Sequence, residues 1–342
     1  MTLFIVYAGR RGSNLECALA LNTLAKGLGA DTKLLLSADN ERKAKVEDLY
    51  SEAEFHNFFS PMEAARLRKE MAGHTVLFTM YSPKMVPLFL SLRAKKLFYF
   101  HATYDHSFSR PGFGERVEDH THDVLIRNST LALATQHPLA WQIRARLDKK
   151  AEVLPHPSYA SIKPEFFSED EQARVDFRSF FLTFGGVDRP SKGVEVLLEA
   201  VKGTKLNTVV AGSRAQINPA PNLTHMNRWL SDGEMHNLIK RSECVVLPYL
   251  VPSLFSGCLA LSFHFRRPVL APFSPAFEGL VEEDKTGWFF PSGDAESLRE
   301  KMGEIWAGER KSSASAIGKK EKEMDGRTEA KLKELLERFG EL

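Results

Sequence analysis

Short apolar runs alternate with amphipathic segments along most of this chain. In the first half, six runs predict β-strands: TLFIVYA, DTKLLLSA, HTVLFTMYS, KKLFYFHA, STLALATQ and AEVLPHP. The segments between them are helical in pattern, and NLECALALNTLAKGLG predicts an amphipathic helix that ends at glycine. Strands separated by helices are typical of a parallel sheet covered on both faces, so this half predicts a doubly wound α/β domain.

The same pattern returns after a polar, strand-poor stretch at residues 161–179, which we interpret as a linker region. Six further runs predict strands: FFLTFGG, LNTVVAG, LTHMNRW, CVVLPY, RPVLAP and TGWFFP. The predicted fold class is therefore α/β, with two doubly wound Rossmann-like domains, 1–163 and 164–305, that face a cleft. A charged tail at 306–342 ends in a predicted helix with an apolar face, which we expect to pack back on the first domain.

Composition narrows the class of protein. The chain has 342 residues, of which 43% are hydrophobic, enough for two sizeable cores. Its formal net charge of +2 is too small to favour a nucleic-acid partner. The three cysteines, Cys17, Cys244 and Cys258, fit neither a disulfide framework nor a zinc motif by their spacing, so we expect a cytoplasmic protein.

One segment imitates a membrane span, because residues 244–265 contain no Asp, Glu, Lys or Arg. Proline, serine and glycine interrupt it, so we interpret it as a buried strand, a loop and a buried helix. Basic residues near apolar ones in the first domain suit an anionic membrane surface, although a solvated helix face and a strand entrance are the favoured explanation: Arg66, Arg68, Lys69, Arg93, Lys95 and Lys96. A peripheral position at the inner face of the membrane is therefore the alternative to a freely cytoplasmic one.

The stretch FGGVDRPSKGVEVLLEA, residues 184–200, places two cations where a helix begins. Gly185 and Gly186 allow a ligand to approach the backbone closely. Arg189 and Lys192 lie near the predicted helix N-terminus, where the helix dipole favours an anion and disfavours cations. A bound phosphate would offset that cost; the alternative is an ordinary turn whose cations point to water.

A second turn has similar properties. Ser256 and Gly257 start the predicted helix that follows the strand CVVLPY. The serine offers a hydroxyl, and the glycine allows close approach to backbone N–H groups. Two helix N-termini and two cations would then converge on one diphosphate. The alternative is a serine N-cap with a packing glycine.

The ordered series FGGVDRPSKGVEVLLEA, VVAGS, LSDGEMHNLIKRSECVVLPY, SGCLALSFHFRRPVLAP and FEGLVEEDKTGWFFPSGDAESLREKM resembles the C-terminal domain of GT-B glycosyltransferases. The likeness is to retaining, family-4-like (group 1) enzymes and covers roughly residues 181–302. It implies that Arg189 and Lys192 hold the donor diphosphate, with the amides of the Ser256–Gly257 turn on the same phosphates. It also implies a base pocket edged by Met226, Asn227 and Arg228.

The resemblance extends to the first domain in outline. His101, after the strand KKLFYF, is similar to a histidine that reaches the donor sugar or the reacting centre. The first strand–helix turn, AGRRGSN, corresponds to a glycine-rich loop near the phosphates. Its candidates are Gly9 and Gly12, with Arg10 and Arg11 as additional cations.

One departure from the family pattern concerns ribose. Many members carry two glutamates eight positions apart in the second loop and helix, and the second usually holds the ribose. Residues 253–261 contain no acidic residue here. We expect a variant enzyme in which Glu278 acts from a neighbouring loop.

The resemblance implies transfer of a sugar from a UDP- or GDP-sugar to a saccharide or lipid-linked acceptor, with retention, in glycan or cell-surface polysaccharide synthesis. The transition state resembles an oxocarbenium ion, and the leaving diphosphate accepts the acceptor's proton. No cofactor besides the donor is expected. A nucleotide-sugar epimerase of the same architecture and a catalytically silent sugar-nucleotide-binding protein remain alternatives.

A metal site is the competing local interpretation. The motif DHTHD places His120 and His122 near His101 and His106, but two residues apart on a helix point in different directions. We therefore predict no metal, and interpret these histidines as surface or acceptor-side groups. His106, Arg110 and Arg116 either line a pocket for an anionic acceptor or are solvated.

Overall fold

Two parallel sheets organise the chain in the computed structural model. The structure describes residues 2–10, 14–80, 85–101, 113–184, 190–212, 217–218, 220–251 and 256–342. The first unit contains the described residues up to Phe166 together with Met324–Leu342, and the second contains the described residues of Phe167–Glu323.

In the first unit the described residues form a seven-stranded parallel sheet in the order β3-β2-β1-β4-β5-β6-β7. Its strands are β1 Thr2–Tyr7, β2 Asp31–Ser37, β3 Ala53–His56, β4 Thr75–Met80, β5 Lys95–Phe100, β6 Leu131–Ala134 and β7 Ala151–Val153. The sequence predicted six of these and missed β3. That strand reads AEFH, which contains neither a β-branched residue nor an apolar run.

Helices join successive strands of this sheet. They are α1 Asn14–Gly27, α2 Lys43–Leu49, α3 Pro61–Glu70, α4 Val86–Ser91, α5 Phe113–Arg127 and α6 His137–Leu147. The central strands are almost wholly buried, as expected of a sheet covered on both faces. Aromatic rings fill one side of the core, with Phe89 packed edge-on against both Phe78 and Phe98.

In the second unit the described residues form a six-stranded parallel sheet in the order β10-β9-β8-β11-β12-β13. Its strands are β8 Phe181–Phe184, β9 Thr208–Ala211, β10 Leu223–Met226, β11 Cys244–Val246, β12 Val269–Pro272 and β13 Gly287–Phe290. Its helices are α7 Val194–Val201, α8 Asp232–Arg241, α9 Gly257–His264 and α10 Ala295–Trp306. The predicted pair of doubly wound α/β domains is confirmed as a fold class.

The apolar segment 244–265 becomes β11, a connection and α9, as the sequence predicted. Among the described residues, none of the helices combines the length and apolar character needed to cross a bilayer.

The polar stretch at 161–179, which was predicted to be a linker region, contains buried residues and packs against a helix. Phe166 and Phe167 are buried, and residues 169–177 run along α8. Arg241 donates hydrogen bonds to three backbone carbonyls of this stretch, including that of Ala173. Lys240 pairs with Asp170 at 2.9 Å. The stretch is therefore strand-poor, and its part from residue 169 to residue 177 is held to α8 of the second unit by backbone and side-chain contacts.

The last helix, α11 Ala314–Phe339, is longer than the segment the sequence predicted. Its final turns lie in the first unit, where Leu332, Leu335 and Leu336 are buried. In that unit Thr75 donates to the Glu341 carboxylate at 2.6 Å.

Glu152 on β7 is clamped by two cations of α11. Arg338 donates to both carboxylate oxygens at 2.8 Å, and Lys331 Nζ lies 2.9 Å from Oε2. The Arg338 hydrogen bonds, with those of Lys331, lower the pKa of Glu152 from 4.5 to about 2 against the opposing effect of burial. The unfolded chain therefore binds the proton first as the pH falls.

We expect the Arg338→Gln, Lys331→Gln double variant to lose about 1–3 kcal/mol of stability near neutral pH. Because the folded pKa of Glu152 is depressed, the contribution is complete above its ordinary pKa and disappears as the pH falls towards about 2. Denaturant unfolding measured from neutral pH down to about pH 2 should show the two proteins converging. The matched control is Lys333→Gln, because Lys333 is exposed and 3.9 Å from Glu337. If the double variant is less stable than the wild-type protein by the same amount at every pH, Glu152 does not make this contribution.

Candidate functional site at the carboxyl ends of β8 and β11

The second sheet reverses its strand order between β8 and β11. The chain builds outward from β8 through β9 to β10, then returns to add β11 on the other side of β8. Ligands of doubly wound sheets bind outside the carboxyl ends of the strands at such a switch point. The loops that follow β8 and β11 are therefore the first place to look for a site.

The β8 loop ends in a short 3-10 helix, Pro190–Lys192, directly before α7. Gly193, at the N-cap of α7, has φ +62°, in the left-handed region that favours glycine. A Cβ there would lie 1.8 Å from the carbonyl oxygen of Pro248 in the β11 loop. The amide of Leu250 also donates to the Ser191 carbonyl at 2.9 Å. The two loops are thus in direct backbone contact.

Tyr249 joins the two predicted turns. Its ring lies under Lys192, with Nζ 3.9 Å from the ring centroid, and its hydroxyl is 2.8 Å from Ser256 Oγ. The ring also contacts Phe277 in the loop after β12, with centroids 6.1 Å apart. Tyr249 is 3% exposed, and burial raises the pKa of its hydroxyl, so it remains a neutral phenol. No motif in the sequence marked Tyr249 as a site residue.

Ser256 and Gly257 occupy the predicted helix start. Ser256 is the N-cap of α9, is buried, and its carbonyl accepts from the amide of Leu259 at 3.0 Å. Within the part of the chain that the structure describes, its side chain does not cap the helix but pairs with Tyr249. The backbone amides and the positive end of the α9 dipole are thus not covered by the serine hydroxyl.

The predicted base-pocket edge follows β10. Met226 is buried at the strand end, and its carbonyl accepts from the amides of Gly212 and Arg228. Arg228 does not point freely to a ligand, because its guanidinium grips both carboxylate oxygens of Glu234. That pairing lowers the pKa of Glu234, which also completes a capping box with Ser231 at the start of α8.

Beside this pair, the described surface offers an amide and an indole. Asn227 is exposed, and Trp229 is 63% exposed. An exposed indole next to a fixed guanidinium suits stacking of a planar base.

Glu278 lies in the loop after β12 and is exposed. Its neighbour Phe277 contacts Tyr249, so this loop meets the other two at the same edge of the sheet. Four predicted residues, Gly12, Gly185, Gly186 and Arg189, lie outside the described residues, as does Arg11.

In the first unit the corresponding switch point is between β1 and β4. Gly9 follows β1, and its carbonyl accepts from Asn40 Nδ2 at 2.9 Å. A Cβ on Gly9 would lie 2.5 Å from both Met80 Sδ and Tyr7 Oη, so the close packing requires glycine. Arg10 is paired with Glu41 at 3.3 Å, although its side chain is 67% exposed.

His101 follows β5 and meets two residues that the sequence analysis did not connect with it. Cys17, His101 and His156 each offer one ligand atom, and these atoms lie within 4.8 Å of one another. The rings of His101 and His156 have centroids 5.8 Å apart. Burial lowers the pKa of His156 to about 4 and the pKa of His101 well below its ordinary value. Both imidazoles are therefore neutral at physiological pH.

The motif DHTHD on α5 separates its two histidines as predicted. His120 is exposed, whereas His122 is 4% exposed and stacks edge-on against Phe100 with centroids 4.7 Å apart. The interpretation of His122 as a surface histidine was wrong, because the residue faces the aromatic core, where burial lowers its pKa to about 4. Of the proposed acceptor-pocket residues, Arg116 is exposed, and His106 and Arg110 lie outside the described residues.

Part of the chain is similar in sequence to known proteins. Residues 178–307 match the family described as Glycosyl transferases group 1. Over 118 residues the chain is 31% identical to GDP-mannose:glycolipid 4-beta-D-mannosyltransferase of Xanthomonas campestris pv. campestris, covering 31% of this chain and 34% of that protein. Over 146 residues it is 28% identical to O-antigen chain mannosyltransferase C of Escherichia coli, covering 40% and 39%. The chain thus spans little more than a third of these relatives' length.

Solved structures resemble the whole chain. HepE of Anabaena, in complex with UDP and glucose, has a TM-score of 0.67 at 12% identity, with all of both chains covered. Sucrose-phosphate synthase of Thermosynechococcus elongatus has a TM-score of 0.63 at 12% identity, covering 98% of this chain and 97% of that one. At such identities the likeness shows the fold, which is GT-B. The predicted resemblance to group 1 GT-B glycosyltransferases is confirmed, with the sequence match lying in residues 178–307.

Proposed function

We propose that this protein is a glycosyltransferase that moves a sugar from a nucleoside-diphosphate sugar to a saccharide or lipid-linked acceptor. The observation that carries the proposal is the contact of Tyr249 with both Lys192 and Ser256. It joins a cation and a helix N-terminus at the switch point of a domain that matches group 1 glycosyltransferases. Such a site suits a diphosphate.

The chemistry follows from charge that develops on the leaving group. As the bond between the sugar and the diphosphate breaks, negative charge grows on the bridging oxygen. Lys192 and the N-terminal amides of α9 stabilise the charge of the transition state more strongly than they stabilise the bound donor. This difference lowers the activation free energy. Arg189 adds a second cation in this scheme.

Retention of configuration completes the proposed mechanism. The acceptor hydroxyl attacks from the face that the diphosphate leaves, and the departing phosphate oxygen takes its proton. A protein carboxylate base is then not required, which agrees with a site whose central groups are a lysine, a tyrosine and a serine. We propose no metal ion in this step.

The donor is proposed from the relatives. The Xanthomonas relative is named for GDP-mannose, and the Escherichia coli relative is named a mannosyltransferase. HepE was solved with UDP and glucose and with UDP-glucose. GDP-mannose and UDP-glucose are therefore the first donors to test. The ribose contact is assigned to Glu278, because it is exposed on a loop that meets the Tyr249 cluster.

A saccharide or glycolipid acceptor is proposed for the same reason, and the reaction is placed at the cytoplasmic side of a membrane. Two cations of the basic group are engaged internally, since Lys95 Nζ donates to the Phe339 carbonyl and Lys96 Nζ to that of Phe89. Arg66, Arg68 and Lys69 on α3 remain exposed, as does Arg93 before β5, and these four would meet anionic lipid.

The test is incubation with a panel of sugar nucleotides, with and without a lipid-linked saccharide fraction as acceptor. We expect nucleoside diphosphate release that depends on the acceptor, and a product heavier by one sugar residue. Isomerised sugar nucleotide without diphosphate release would indicate an epimerase instead. Binding without turnover for every donor would indicate a silent binding protein. Either result would overturn the proposal.

A further inference from the structure

We propose that Cys17, His101 and His156 form a zinc-binding site in the first unit. The three residues come from α1, from the end of β5 and from the segment after β7, so the fold brings together positions far apart in sequence. One thiol sulfur and one nitrogen from each imidazole lie within 4.8 Å of one another. Sulfur and imidazole nitrogen are the ligands that zinc prefers in proteins.

The distances suit a tetrahedral ion after small adjustments. Bonds of about 2.0–2.3 Å from one zinc ion place neighbouring ligand atoms roughly 3.3–3.8 Å apart. The three ligand atoms are at most 4.8 Å apart, so the movement that coordination needs is no more than about 1.5 Å, which side-chain rotation supplies. Three protein ligands leave a fourth position for water or another ligand.

The hydrogen bonding of His156 has the form expected of a ligand. Its Nδ1 lies 2.7 Å from the Pro157 carbonyl oxygen, which accepts only if Nδ1 carries the proton. The lone pair is then on Nε2. A backbone carbonyl that fixes the tautomer in this way is the usual second partner of a metal-ligating histidine.

His101 supplies an independent observation. Its Nε2 is buried, and within the described part of the chain it makes no hydrogen bond. A buried polar atom without a partner costs free energy, and an ion or another bound group is one of its ordinary explanations. The ring is also held in place, with centroid distances of 4.2 Å to Tyr99 and 5.8 Å to His156.

Cys17 completes the site as its anionic ligand. It is fully buried on α1, and its sulfur lies within 4.8 Å of a nitrogen of each imidazole. On coordination the sulfur–zinc bond replaces the sulfur–hydrogen bond, and the proton goes to solvent. The inference does not rest on glycosyl transfer, because zinc content is measured without any sugar nucleotide.

The experiment is metal analysis of the full-length protein, purified without a histidine tag and dialysed against buffer that contains zinc and then against metal-free buffer. We expect about one zinc per chain. Replacement of zinc by cobalt should give the intense near-ultraviolet absorption of a thiolate–cobalt bond. Cys17→Ala should lose that absorption and weaken zinc binding at least tenfold or so. The matched control is Cys244→Ala, since Cys244 is an equally buried free cysteine in the second unit.

Several results would overturn the site. One is wild-type protein that retains well under one zinc and gives no thiolate–cobalt band. Another is equal loss of zinc in Cys17→Ala and Cys244→Ala. If Cys17→Ala does not fold, His156→Gln and the wild-type cobalt spectrum decide the question. Wild-type protein that binds about one zinc but releases no nucleoside diphosphate would contradict the proposed glycosyltransferase activity and would still support the zinc site.

Discussion

Replacing Gly193 by alanine should destabilise the second unit by about 4 kcal/mol or more. The added Cβ would lie 1.8 Å from the Pro248 carbonyl oxygen, which is backbone and cannot rotate away. At φ +62° the alanine would also adopt a left-handed conformation. Thermal unfolding should therefore shift down by about 8 °C or more, with loss of nucleotide binding as the two loops separate.

Gly203 provides the matched control. It too has positive φ, +71°, but a Cβ there meets nothing within 4 Å among the described residues. Gly203→Ala should therefore cost only the left-handed conformation, about 1–2 kcal/mol. Equal shifts in the two variants would mean that the contact with Pro248 is not as tight as the structure has it.

Lys192→Ala should lower kcat/KM for glycosyl transfer roughly 30- to 1,000-fold. This corresponds to a loss of about 2–4 kcal/mol of transition-state stabilisation. The lysine would contact the diphosphate most strongly as it leaves, so kcat should fall more than donor binding does. Loss of the contact with the Tyr249 ring should cost about 0.5–2 kcal/mol of stability, a shift of only a few degrees. Steady-state kinetics and thermal unfolding of the same preparation separate the two effects.

Lys202→Ala is the control for the charge itself. Lys202 is at the opposite end of α7, its side chain is 74% exposed, and it lies 3.6 Å from Glu199. Its removal should change neither turnover nor stability appreciably. Wild-type turnover in Lys192→Ala would show that Lys192 merely packs on Tyr249.

The fold was predictable because the apolar runs of a doubly wound sheet are long and are separated by helices. All twelve apolar runs that were predicted as strands correspond to strands in the structure. The strands β1, β4 and β5 are buried, as expected of continuous apolar runs. β3 escaped prediction because it is a four-residue edge strand whose partner, β2, supplies the register. The strand predicted through Trp229 ends at Met226, where the chain turns into the capping box of α8.

The candidate site was predictable only in part. Glycine, proline and a cation before a helix mark Lys192 as a ligand candidate, and Ser256–Gly257 marks the start of α9. Tyr249 gave no such signal, since it lies in an apolar run where a buried aromatic residue is expected for packing alone. Its ring and hydroxyl contact Lys192 and Ser256 only because the fold brings the β8 and β11 loops together.

Cys17, His101 and His156 illustrate the same limit. Metal motifs are recognised from short spacings, and these three residues are separated by 84 and 55 positions. Only the parallel order of β1, β4, β5, β6 and β7 brings the segments beside them to one edge of the sheet. The histidine-rich motif on α5 was conspicuous in sequence, yet its His122 turned out to pack against Phe100.

A crystal structure of the protein soaked separately with GDP and with UDP would show directly where a nucleoside diphosphate binds. We predict that its phosphate oxygens lie about 3 Å from Lys192 Nζ and from the backbone amide of Gly257, at the carboxyl ends of β8 and β11. The base should lie towards Met226 and Trp229. A nucleotide bound away from Lys192 and Gly257, or none bound at millimolar concentration, would contradict a donor site at this switch point.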